Sequence, residues 1–189
     1  MKRFSVSLLM LMSVMVPLGA VAASPASASC RPPDGDYGPL YVVRDPQEQL
    51  TPTNVYSTWT WPRYNTTFTV TYDQTKTEET NASLSASVEL DEGVIFAQAK
   101  ETFGVSVGRS WSHTEGWHYT ATFPADGRYD YRAHLYHVTW TFHVMRYNFD
   151  VAHCRWVPAW SRWQTVSHAP VKSSDPAYQE WTVDRRRHP

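Results

Sequence analysis

The residues of this 189-residue chain best suited to chemistry are its eight histidines, two cysteines and nine tryptophans. Histidines invite a metal, and their spacing decides whether they can share one. His137 and His143 share parity on one strand-like run, but six strand residues hold them roughly 20 Å apart. His134 and His137 differ in parity, as do His113 and His118, so neither pair points one way along a strand. Asp34, Asp36 and Asp45 lack the spacing of a calcium loop. There is no G-x-S-x-G, no H-E-x-x-H and no glycine-rich phosphate loop. These absences predict a non-enzymatic protein with no metal and no cofactor.

Cys30 and Cys154 are the only cysteines. Residues 1–28 read as an export signal. Lys2 and Arg3 are a basic start, Phe4 to Leu18 is apolar, and Ala26-Ser27-Ala28 is a cleavage pattern. A chain exported and cut near Ala28 keeps both cysteines in an oxidising compartment, where two cysteines most simply pair. Closing so long a loop adds about 4–5 kcal/mol in the chain-entropy model. The expected location is extracellular.

The tryptophans cluster once, in Trp156-Val157-Pro158-Ala159-Trp160-Ser161-Arg162-Trp163. Exposed together, Trp156, Trp160 and Trp163 could stack on a sugar ring or sit at a lipid interface. Packed inward, they would serve the core. Charge excludes another class of partner. Removing residues 1–28 takes away Lys2 and Arg3 and leaves 15 basic against 18 acidic residues, about −3. A nucleic-acid binder needs a basic excess.

Elements must hold these residues in place. Residues 29–54 read as an irregular, Pro-rich segment in which only Leu40-Tyr41-Val42-Val43 resembles a strand. Residues 55–189 read as a single β domain. Alternation of period two marks Thr67–Tyr72, Ala82–Leu90, Val105–Trp111, Trp117–Phe123 and a long run from Tyr129 to Val151. Pro124-Ala125-Asp126-Gly127 has turn chemistry. Weaker strands fall at 163–167 and 179–183.

Between Leu90 and Gly104 the period changes. Ile95, Phe96, Ala99 and Phe103 fall within about 100° of arc on a helix. Asp91 and Glu92 suit its N-terminal end and Gly104 its C-terminal end. Read as a strand, the stretch would place Glu101 on the face of Ile95, Ala97, Ala99 and Phe103, so the helix at about 91–103 is preferred. The fold class expected is mainly β: an elongated antiparallel sheet or sandwich with one short amphipathic helix inserted.

A Ser/Thr-rich strand, then Ala-Ser-Leu-Ser-Ala-Ser-Val, then the insert Gly-Val-Ile-Phe-Ala-Gln-Ala-Lys, then Phe-Gly-Val-Ser-Val-Gly-Arg-Ser-Trp-Ser, resembles a class of small secreted actinobacterial β proteins. Over roughly residues 64–145 the order also distantly resembles the pore-forming module of aerolysin-like toxins, the epsilon-toxin and mosquitocidal-toxin group. In those toxins polar strands flank an amphipathic segment that enters lipid. The resemblance implies a surface-active protein whose membrane-inserting residues are Leu84, Val88, Leu90, Ile95, Phe96, Phe103, Val105 and Val107. It implies membrane lipid as partner and a homo-oligomer as the active form. The alternative is a soluble module that binds carbohydrate or cell wall through Trp156, Trp160 and Trp163, with a surface glycan as partner.

Overall fold

The computed structural model describes residues 30–32, 35–63, 67–124 and 127–189. The expected export signal at 1–28, Asp34, and Ala125 and Asp126 of the expected turn lie outside the described residues. Residues 31–189 form one unit, which holds every element below. Cys30 and Cys154 are disulfide-bonded, and neither is free.

The longest strand organises the rest. β4, Tyr129–Asp150, has 22 residues. Along one edge it pairs antiparallel with β1, Leu40–Tyr56. Along the other it pairs antiparallel with three short strands in turn. β7, Gln179–Arg187, covers Tyr129 to His137, and β6, Gln164–Pro170, covers Thr139 to Val144. β5, Arg155–Pro158, covers Tyr147 to Asp150. A second, two-stranded sheet joins β2, Thr67–Asn81, to β3, Ser110–Pro124. Between β2 and β3 lie α1, Ala86–Glu89, and α2, Glu92–Phe103. The fold is mainly β and antiparallel, as expected.

Side chains alternate between the two faces of β4, and each face serves a different core. The odd residues Ala133 and Leu135 pack with Val55, Val70, Tyr72 and Trp117, which belong to β1 and the β2–β3 ribbon. The even residues Val138, Phe142 and Val144 pack with Val88, Ile95, Ala99 and Val107 from the segment between β2 and β3. The ribbon therefore covers one face of β4 and the helical segment the other. The chain changes face beside β6. There Ser83 pairs with Ser167 on the way out, and Val107 pairs with Val171, just past β6, on the way back.

The helix follows its pattern closely. Asp91 is its N-cap residue, and Gly104 ends it in the left-handed region at φ 76°, which glycine adopts without strain. Ile95 and Ala99 are buried, Phe96 and Phe103 half-buried, and Glu101 exposed. Gln98 is also half-buried, so the stripe is wider than the apolar residues alone define.

Three expectations need correction. The 29–54 stretch is not irregular beyond Pro39, because β1 runs through Pro46 and Pro52. Its pairing with β4 shifts between Arg44 and Gln47, where Asp45 has φ 54°, and again between Pro52 and Tyr56. Bulges of this kind accommodate proline on a sheet edge. Ala82–Leu90 is not a strand. Only Ser83 makes a β-bridge, and a helical turn follows at Ala86–Glu89. Val105–Trp111 and Trp117–Phe123 are not two strands: β3 begins at Ser110 and runs unbroken through Trp117.

Candidate functional site

Residues 82–109 hold all eight residues expected to enter lipid, and the structure gathers seven of them on one core. Val88 and Ile95 are fully buried and Val107 nearly so. Leu84, Phe96, Phe103 and Val105 are partly buried and pack on the same core. Phe103 stacks on Trp140 at 5.8 Å between ring centroids and meets Phe142 edge-on at 5.5 Å. Leu90 is the exception, 86% exposed at the end of α1. Val94, in the first turn of α2, is 57% exposed. An apolar segment is thus folded down against β4 with two of its large apolar residues, Leu90 and Val94, left outside.

Ion pairs pin the segment at its rim. Arg109 reaches back to Glu89 at 3.0 Å and to Glu92 at 3.1 Å. Arg146 on β4 meets Asp91 at 3.4 Å. These groups are substantially exposed, so each pair contributes only about 0–1 kcal/mol. Burial of the apolar stripe holds the segment, at about 1.5–3 kcal/mol for each fully buried Val or Ile.

The ribbon that carries the segment has two unlike faces. Phe68, Val70 and Tyr72 on β2 point inward with Trp117 and Tyr119 on β3. The outward face of β2 carries Thr67, Thr69, Thr71, Asp73, Thr75 and Thr77. Thr122, Thr120, His118 and Thr114 stand opposite on β3. Thr69 and Thr122 join through their hydroxyls at 2.9 Å, Thr77 and Thr114 at 2.7 Å, and His118 meets Asp73 at 2.8 Å.

At the junction of ribbon, segment and sheet lies a polar knot that the sequence reading missed. Glu78 Oε1 and His137 Nδ1 stand 3.0 Å apart with both side chains wholly buried, and the contact is off hydrogen-bond alignment. Gln179 Nε2 donates to Glu78 Oε2 at 2.8 Å, and His137 Nε2 donates to the Val171 carbonyl at 2.9 Å. Trp111 stacks on His137 at 5.9 Å. The available signal was parity: Glu78 falls on the same face of β2 as Val70 and Tyr72, where a carboxylate needs a buried partner.

The tryptophans at 156–163 do not form an open row. Trp156 packs edge-on against Phe149 at 5.2 Å, and Trp160 meets Tyr41 at 6.3 Å. The Arg44 guanidinium lies 3.7 Å over the Trp163 ring. A different aromatic groove, of about 300 Å³, is walled by Trp117, Trp181, Leu135 and Pro176 and carries Glu115, His118 and Gln179. Among the described residues no group of three or more His, Cys, Asp or Glu side chains is arranged to hold a metal ion. No helix among them is long and apolar enough to cross a membrane. No protein-family model matches the chain, and no curated protein matches it.

Proposed function

We propose that this is an exported membrane-active protein in which residues 82–109 leave the face of β4 and extend the β2–β3 ribbon into a lipid-crossing hairpin. The observation that carries this reading is the ribbon's register. β2 and β3 pair without a shift from Thr67 and Pro124 to Asn81 and Ser110. The ladder already runs one step into the segment, where the Ala82 amide donates to the Arg109 carbonyl at 2.7 Å.

Continued at the same register, the ladder sorts residues 83–88 and their partners 103–108 by chemistry. One face takes Leu84 with Val107, Ala86 with Val105 and Val88 with Phe103. The other takes Ser83 with Gly108, Ser85 with Ser106 and Ser87 with Gly104. The turn falls at Ile95 and Phe96. The apolar run from Ala82 to Leu90 is nine residues, within the roughly 9–11 of a tilted transmembrane strand. Glu92 and Glu101 end it on that face. The polar face continues the threonine rows of the ribbon, so one wall is wet and the other dry, as a membrane barrel requires. Leu84 and Val88 share the core of the stored form and, four residues apart, the same parity in the strand of the hairpin.

An isolated hairpin leaves two unpaired edges in hydrocarbon at several kcal/mol per backbone group. Several chains must therefore close a barrel, and the active form is a homo-oligomer. The test is a lock. Ser83 and Ser167 exchange both backbone hydrogen bonds, at 2.8 and 3.1 Å. Such a pair stands about 5.5 Å apart at Cα, within disulfide range. A Ser83→Cys/Ser167→Cys variant should release no dye from liposomes when oxidised and regain release on mild reduction. Equal release in both states would defeat the reading.

A second reading, binding of a soluble or wall glycan, draws on the groove at Trp117 and Trp181 rather than on Trp156–Trp163. Its apolar walls, with Glu115 and Gln179 at the lining, suit a sugar ring. Glycan binding that survives in the oxidised lock would favour it.

A further inference from the structure

We infer that the channel formed by this hairpin selects cations, and that Glu89 is the residue that makes it do so. The inference rests on the barrel reading above and extends it to what passes through. Its basis is the fate of the segment's charges when the register of β2 and β3 is continued through it.

In the stored form the carboxylates have cationic partners. Glu89 is 3.0 Å from Arg109, and Asp91 is 3.4 Å from Arg146. The continued ladder parts both pairs. Arg109 stands opposite Ala82, on the face that carries Leu84 and Val88, at the mouth of the apolar band. Arg146 belongs to β4 and remains with the sheet. Glu89 and Asp91 fall on the serine face, which lines the lumen.

Across the hairpin Asp91 meets Lys100, and the two offset each other. Glu89 meets Thr102 and nothing offsets it. The rest of the lumen face within the apolar band is Ser83, Ser85, Ser87, Gly104, Ser106 and Gly108, which carry no charge. Each protomer thus places one uncompensated carboxylate at the same height, and closure into a barrel turns it into a ring. A carboxylate ring admits cations and repels anions. The low dielectric of the surrounding hydrocarbon strengthens that field.

The test is the reversal potential of channels in a planar bilayer under a potassium chloride gradient, for wild type and three variants. Wild-type channels should reverse on the cation side of zero. Glu89→Gln should move the reversal most of the way to zero, and Glu89→Lys should carry it to the anion side. Glu180→Gln, on β7 outside the hairpin, should leave it where wild type has it. The Glu89 side chain is 43% exposed in the stored form, so these changes do not threaten folding. Channels that reverse at zero, or a Glu89→Gln channel as selective as wild type, would overturn the inference and leave the barrel reading standing. Absence of any channel, from protein that binds the bilayer, would overturn both.

Discussion

Glu78 on β2 and His137 on β4 face each other at 3.0 Å with no exposure of either side chain, at the point where the ribbon ends and the apolar segment begins. The two residues are far apart in sequence, and nothing local links them. Their juncture is where the chain turns from one face of β4 to the other. The carbonyl of Val171 can only accept, so His137 Nε2 carries a proton. Nδ1 faces a Glu78 carboxylate oxygen, and neither side chain reaches water.

That arrangement predicts a strong coupling. Removing one partner leaves the other buried and unpaired, at a cost of about 3–5 kcal/mol. Glu78→Leu and His137→Leu should each lower stability by that order. The double variant should lose much less than their sum, because the unpaired group is gone. Urea midpoints of the four proteins measure it, and additive losses would show that the pair is not coupled.

A half-buried carboxylate, Asp184, predicts the acid limb of stability. Burial raises the pKa of Asp184, but hydrogen bonds from His134, Tyr136 and Arg132 outweigh it and hold the carboxyl below its ordinary value. His134 Nδ1 lies 2.8 Å from Asp184 Oδ2, and Tyr136 donates to Oδ1 at 2.9 Å. A depressed folded pKa adds stability above the unfolded value, near pH 4, and that stability is lost as pH falls through the folded value. Asp130 and Asp150 are depressed in the same direction, each first through a hydrogen bond from histidine, His188 and His153. The thermal midpoint should therefore drop on acidification below about pH 4. Asp184→Asn should be less stable at neutral pH and should show a shallower acid slope. An unchanged slope would mean that this cluster does not govern the limb.

The sequence revealed those parts of the fold that local chemistry determines. Gly104 closed α2, and Ile95 and Ala99 turned inward, because a capping glycine and an apolar stripe act within a few residues. β1 was hidden by Pro46 and Pro52. Their strand is an edge with bulges, so the missing amides cost little, and edge status is set by β4 nearly a hundred residues later. Ala82–Leu90 was legible as alternation and still did not form a strand. Of its odd positions, Ser83, Ser85, Ser87 and Glu89, only Ser83 meets a strand, at Ser167, whereas Val88 and Val107 find a core on β4. The pairing of Glu78 with His137 depends on which strand covers which face of β4, and no spacing within either segment records that.

The sharpest test of the hairpin lies in two adjacent residues. Ala86 and Ser87 are both exposed on α1 in the stored form, so an arginine at either should change folding stability by no more than about 0.5 kcal/mol. The continued register separates them. Ala86, opposite Val105, stands at the middle of the apolar band and faces lipid, while Ser87, opposite Gly104, faces the lumen. An arginine near the bilayer midplane on the lipid face costs about 2–4 kcal/mol per chain, and closure of a ring multiplies that cost by the number of chains. Ala86→Arg should therefore fold normally, bind membranes and release no dye. Ser87→Arg should fold normally and still permeabilise, with the added positive charge weakening cation preference. If the two variants lose activity equally, residues 82–109 do not enter lipid in the ribbon's register. If neither loses any, the segment does not enter lipid at all, and the groove at Trp117 and Trp181 becomes the place to look for a ligand.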